Sequence, residues 1–250
     1  MSTRTQPPSP SAHHTGRGAP RITATRYRIA RWVGLGVLVV LVVSIVLVVV
    51  RDSSTTDTAP QPAGGVAAPG GLTPEGSIAI GDGPVTVTVY FDYLCPACGA
   101  FEDANGEALD QFVRNDDVTV ELRPMAFLDR LSAGTEYSTR TANALATVVD
   151  ADPGHAWAFH RALYAERPPE GGPGLTDQQI ADVARGVGVP DEVAARFAEG
   201  RYEAWVAQRT EKAFANGVEG TPTILVNGRL FEGDAYRAGS LTAAVEQAAS

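Results

Sequence analysis

The sequence predicts an α/β fold: a βαβ unit, a block of helices, then a closing ββα segment. Three observations carry this. An apolar β-type run, Val85–Phe91, leads straight into the only two cysteines of the 250-residue chain, and an amphipathic helical pattern leads out of them. A second β-type run, Val118–Leu122, returns soon enough that the two strands and their helix make one βαβ unit, so the strands are expected to be parallel. The chain becomes β again only at Thr223–Phe231, after a long stretch of helical periodicity.

Taken in order, residues 1–31 read as a disordered basic tail, with six arginines and no acid. Residues 33–50 follow, eighteen without a charge, which as a helix would span about 27 Å, close to the hydrocarbon thickness of a bilayer. Trp32 is placed to anchor the inner edge, and Arg51-Asp52 ends the run. A cleavable signal peptide is the competing reading, but the run is long for one and no small-residue cleavage pattern closes it. The expectation is one transmembrane signal-anchor over residues 32–51. The arginines before it place the N-terminus in the cytoplasm and the rest of the chain outside. Residues 52–75 are Pro/Gly-rich and read as a flexible linker.

The globular domain is expected over residues 76–250, with a helical insertion at about 125–217. From Glu75 onward there are 27 acidic and 13 basic residues, a balance that argues against nucleic acid as a partner. Ser77–Ile80 is a short strand, closed by Gly81-Asp82-Gly83-Pro84. Phe101, Ala104, Ala108, Leu109, Phe112 and Val113 give the helix after the cysteines, running to about Arg114. In the middle, Thr135–Val149, His155–Tyr164, a helix starting at Thr176, a short one after Pro190 and a long one marked by Tyr202–Phe214 form the helical block. Its aromatics Trp157, Phe159, Tyr164 and Trp205 read as core, and His155 and His160 as surface or satisfied polar residues. Asn227-Gly228 between two β-type runs signals a hairpin, and a last helix starts near Ser240.

The chemistry is expected at Cys95-Pro96-Ala97-Cys98. At a strand–helix junction the first sulfur meets unpaired backbone N–H groups and the positive end of the helix dipole, which favour a thiolate. The second lies one turn on. That geometry suits a redox dithiol. A zinc half-site and a structural cysteine pair are the alternatives, but structural zinc wants four ligands and no second cysteine pair exists.

The Cys95–Cys98 motif after a strand, together with Gly217-Val218-Glu219-Gly220-Thr221-Pro222-Thr223 before the final hairpin, resembles the DsbA-like branch of the thioredoxin superfamily. Trp157–Leu163 is similar to that branch's helical insertion. The resemblance implies a thioredoxin fold with a helical insertion. It implies catalytic Cys95 and Cys98, with Pro96 and Ala97 shaping the motif. It also implies a cis Pro222 beside the dithiol, where Thr221 and Pro222 offer a strand edge to substrate. The activity implied is disulfide formation in exported polypeptides, without metal or organic cofactor. A quinone-linked membrane thiol oxidase, DsbB-like or vitamin-K-epoxide-reductase-like, would reoxidise the pair. The sequence departs from the best-known members in having Ala97 where they often have histidine. It also has no acid within the strand itself: Val89 stands six before Cys95 and Asp92 three before, close enough to oppose ionisation. Reductase or isomerase activity and a non-enzymatic peptide-binding module remain as alternatives.

Overall fold

The central strand β2 (Val85–Phe91) is valine-rich and buried along almost its whole length, as a strand covered on both faces must be. The computed structural model describes residues 65–250, so the expected tail and membrane span, and most of the expected linker, lie outside the described residues. Among the described residues no helix is long and apolar enough to cross a membrane. Beside β2 runs β3 (Val118–Pro124), parallel and in register from Val85 opposite Val118 to Phe91 opposite Pro124. The helix between them, α1 (Pro96–Arg114), completes the predicted βαβ unit. β1 (Ile78–Ile80) pairs antiparallel with β3, and β4 (Thr223–Val226) antiparallel with β2. β5 (Arg229–Leu230) forms the outer edge, giving the order β1-β3-β2-β4-β5. The hairpin turn has positive φ at Asn227 and Gly228, as Asn-Gly turns require. Asn227 also accepts from the Thr86 amide at 2.8 Å, fastening the turn to the start of β2.

The helical block comprises α2 (Tyr137–Ala151), α3 (Ala156–Ala165), α4 (Asp177–Gly186), α5 (Asp191–Ala194) and α6 (Glu203–Ala215). α2 begins two residues later than its composition suggested, because Ala133, Gly134 and Glu136 hold left-handed turns ahead of it. It packs against α3, α4, α5 and α6, and Ala142, Ala144, Leu145, Ala146 and Val148 on it are fully buried. Asn143 ties the block together: its amide donates to the Phe197 carbonyl and its oxygen accepts from the Tyr202 amide, both at 2.9 Å. α4 starts with a Thr176–Gln179 capping box.

α1 and the C-terminal helix α7 (Ser240–Ala248) close over the β2 face that carries Val87, Val89 and Phe91, the main core. α6 approaches the opposite face, where Tyr90, Met125, Ala213 and Val218 make a small second core. Trp205, Phe159 and Tyr164 are buried as predicted, and Trp157 is half-buried. The last residues of the stretch expected as linker are already held to the domain. Gly70 donates to Asp150, and Leu72 bridges to Ile78.

Candidate functional site

Cys95 is the N-cap of α1, with extended backbone (φ −73°, ψ 117°), and Pro96 occupies the first helical position, where a missing N–H costs nothing. The Cys95 amide donates to the Asp92 carbonyl at 3.0 Å and the Cys95 carbonyl accepts from Gly99 at 3.1 Å, so the turn before the helix and the helix itself both hold the residue. Both cysteines are free thiols in the structure. Cys95 is the more open of the two, at 7% exposure against 1% for Cys98.

The antiparallel register of β4 on β2, with Thr223 opposite Tyr90, carries Thr221 and Pro222 past the end of β2 to the dithiol. The Thr221–Pro222 peptide is cis, as the resemblance implied. The Cys95 thiol donates to the Thr221 carbonyl at 3.3 Å. The Thr221 hydroxyl is buried without a hydrogen-bond partner among the described residues, and the Thr221 side chain helps to hold the Cys95 pKa low. The structure therefore gathers Cys95, Pro96, Ala97, Cys98, Thr221 and Pro222 in one place.

The two thiols are driven apart. A hydrogen bond from Cys98 lowers the Cys95 pKa from 9.0 to about 6. Partial burial opposes this, while Thr221 and the amides of Cys98 and Ala97 assist. Burial pushes Cys98 well up, and its role as donor to Cys95, together with the negative charge there, adds to that. These effects favour the thiolate at Cys95 and the neutral thiol at Cys98.

Sequence reasoning placed Asp92 near the pair but missed its burial and its partners, and missed the Glu102 cluster altogether. Asp92 follows directly on β2 and is fully buried, so an acid does sit under the motif. Its carboxyl does not face Cys95 as expected. It accepts from the Leu94 amide (2.8 Å), the Leu128 amide (2.8 Å) and the Ser138 hydroxyl (2.6 Å), and so fastens the dithiol loop to the helical block. Desolvation raises its pKa from 3.8 to about 6 against those bonds. One turn beyond Cys98, buried Glu102 accepts from Arg161 at 2.6 Å and lies 3.3 Å from His160 Nε2. Burial opposes Glu102 ionisation, but the bonds and fields of His160 and Arg161 outweigh it and hold the carboxyl below its ordinary value. His160 Nδ1 pairs with the Tyr93 hydroxyl at 3.0 Å, so this histidine is a satisfied buried residue. The nearness of Asp92 to the motif was a usable signal. Nothing local marks the Glu102–His160–Arg161 cluster, whose members lie 58 and 59 residues apart.

Comparison with known proteins agrees with this geometry. A thioredoxin family model matches residues 73–247, and the chain belongs to that family. Two solved Mycobacterium tuberculosis structures are similar: the reduced disulfide bond oxidoreductase DsbG (28% identity, TM-score 0.62, covering 70% of this chain and 88% of that one) and reduced DsbA (27%, 0.60, 68% and 91%). Disulfide bond formation protein D of Bacillus subtilis is 25% identical over 154 residues, 60% of this chain and 67% of its own. The Na(+)/H(+) antiporter NhaA 1 of Salinispora arenicola is 29% identical over 170 residues, 67% of this chain, which spans only 24% of that protein's length. The fold, the dithiol and the solved neighbours define a protein thiol-disulfide oxidoreductase of the DsbA type.

Proposed function

We propose that the Cys95–Cys98 pair introduces disulfides into exported polypeptides, outside the cytoplasm. The observation that carries this reading is the unequal placement of the two thiols. Cys95 caps α1 beside Thr221, while Cys98 is sealed beneath it, which favours a thiolate at the first and a neutral thiol at the second. Whatever stabilises the reduced pair as a thiolate makes its disulfide the stronger oxidant. A substrate thiolate attacks the Cys95 sulfur of the oxidised bridge. The S–S bond breaks, and Cys98 leaves with the electron pair and takes up a proton, because its burial disfavours the charge. The second substrate thiolate then attacks the substrate sulfur of the mixed disulfide and expels Cys95 as a thiolate. Cys95 is the better leaving group of the two because its pKa is low. The substrate loses two electrons and the pair gains them. Thr221 and Pro222 offer the backbone edge on which an extended substrate segment lies.

The electrons leave again through a quinone-linked membrane thiol oxidase, DsbB-like or vitamin-K-epoxide-reductase-like, with residues 33–50 anchoring the domain near it. The equilibrium of the full-length chain against glutathione tests the direction of flow. The expected potential lies above the roughly −270 mV of thioredoxin, and oxidised chain should form disulfides in a reduced, unfolded polypeptide. A potential below that value would instead favour a reductase.

A further inference from the structure

On the sheet face opposite the main core, α6 and the ends of β2 and β3 enclose a cavity of about 210 Å³ whose lining includes Arg123, Arg209 and Lys212. Cations are scarce in this domain, with 13 basic residues against 27 acidic from Glu75 onward, so three in one cavity is a concentration against the trend. Arg123 is accounted for: it donates to Glu121 (3.2 Å) and Ser77 (2.7 Å), and also to the Tyr90 hydroxyl. Arg209 is not. It donates to the Glu75 carbonyl at 2.9 Å and has no carboxylate partner among the described residues. The other arginines without one (Arg130, Arg201, Arg229 and Arg237) are exposed, whereas Arg209 is half-buried. Burial and the neighbouring charge of Arg123 both work against its ionised form. Lys212, the chain's only lysine, also lacks a carboxylate partner there. Its place in the last turn of α6 complements the helix dipole, but that explanation does not extend to Arg209, three residues earlier. Holding a half-buried guanidinium beside a second one is unfavourable unless an anion joins them. Neutral donors are at hand in Asn216 and the Tyr90 hydroxyl, and the Glu75 carboxylate is exposed at the rim.

We infer that this cavity is an oxyanion-binding site, taking a dianion of the phosphate or dicarboxylate kind between Arg209 and Lys212, with Arg123 behind. The site is separate from the dithiol and does not depend on its redox role. Because Lys212 is the only side-chain amine, its reaction with an amine-directed acylating reagent, resolved from the N-terminus by peptide mass mapping, reports occupancy directly.

With the full-length chain, sodium sulfate and sodium malonate serve as the two probes, and sodium chloride at equal ionic strength as the control. At least one probe should slow Lys212 acylation saturably while chloride does not. Protection by sulfate alone assigns a phosphate-type ligand, and stronger protection by malonate a carboxylate. Arg209→Gln should weaken binding by about tenfold or more, the loss of a charge-assisted hydrogen bond, and Arg209→Lys should recover part of it. Should Arg209→Gln fail to fold, calorimetric titration of the exposed-site variant Lys212→Gln supplies the same comparison. Equal protection by chloride, no protection by either probe, or binding unchanged in both Gln variants overturns the inference.

Discussion

Cys95 and Cys98 are three residues apart and differ in almost everything else that matters to a thiol. Cys95 accepts hydrogen bonds at a helix start, while Cys98 is sealed beneath it. Alkylation of the reduced chain should therefore follow a thiolate with a midpoint near pH 6, assigned to Cys95 by peptide mapping. A midpoint near the ordinary value of 9.0 would remove the basis of the oxidase reading. Cys95→Ser should abolish exchange, and Cys98→Ser should accumulate mixed disulfides visible on non-reducing gels. Adducts trapped by Cys95→Ser instead would reverse the roles. Asp92 makes a separate prediction. Its folded pKa of about 6 lies above the unfolded 3.8, so between those values the folded protein holds a proton that the unfolded chain has released. Stability from this group is therefore fully present below about pH 4 and lost as pH rises through 6, a change of about 3 kcal/mol. Asp92→Asn should flatten the fall of unfolding free energy between pH 4 and 6. An unchanged slope would show that another group titrates there.

Among the elements, α1 carries two interior glycines, each normally costing a helix about 1 kcal/mol relative to alanine. The reason is contact with arginines from the helical block. A Cβ at Gly99 would run into the Arg167 guanidinium, and one at Gly106 into that of Arg161. Arg167 reaches Asp103 at 2.6 Å, and Arg161 reaches the buried Glu102. The glycines thus let α3 and the segment after it clamp the active-site helix through charge. Gly106→Ala should displace Arg161 and strip Glu102 of that partner, a loss of several kcal/mol set against the small gain in propensity. A net destabilisation of about 2 kcal/mol is expected by urea unfolding. A variant as stable as the parent would mean that Arg161 can shift without loosening Glu102.

For the whole molecule, the expected arrangement is a cytoplasmic tail, a span over residues 33–50 and an acidic redox domain outside. Protease added to intact spheroplasts should digest the domain over residues 76–250 and leave the tail. Protection of the domain would overturn the topology. The described part already shows that the start of the domain is fastened, through Gly70 to Asp150 on α2 and Leu72 to Ile78 on β1. Any tether between membrane and domain therefore ends before Gly70, shorter by several residues than composition alone suggested.

What the sequence determined by itself was everything written in local pattern. Alternating valines gave β2, the spacing of Phe101 to Val113 gave α1, and Asn227-Gly228 gave the hairpin. The lone Cys-x-x-Cys between strand and helix gave the dithiol, because backbone geometry at such a junction acts on the nearest side chain. The meeting of Thr221-Pro222 with Cys95 came only through resemblance, since 126 residues separate them and a strand register joins them. Tertiary structure alone decided that Asp92 turns its carboxyl into the helical block and that Glu102 shares a buried cluster with His160 and Arg161. It alone gathered Arg123, Arg209 and Lys212 around one cavity. These depend on which helix packs against which strand. That choice is made by burial summed over the whole core, and hydrophobic periodicity within one segment carries no record of its partner.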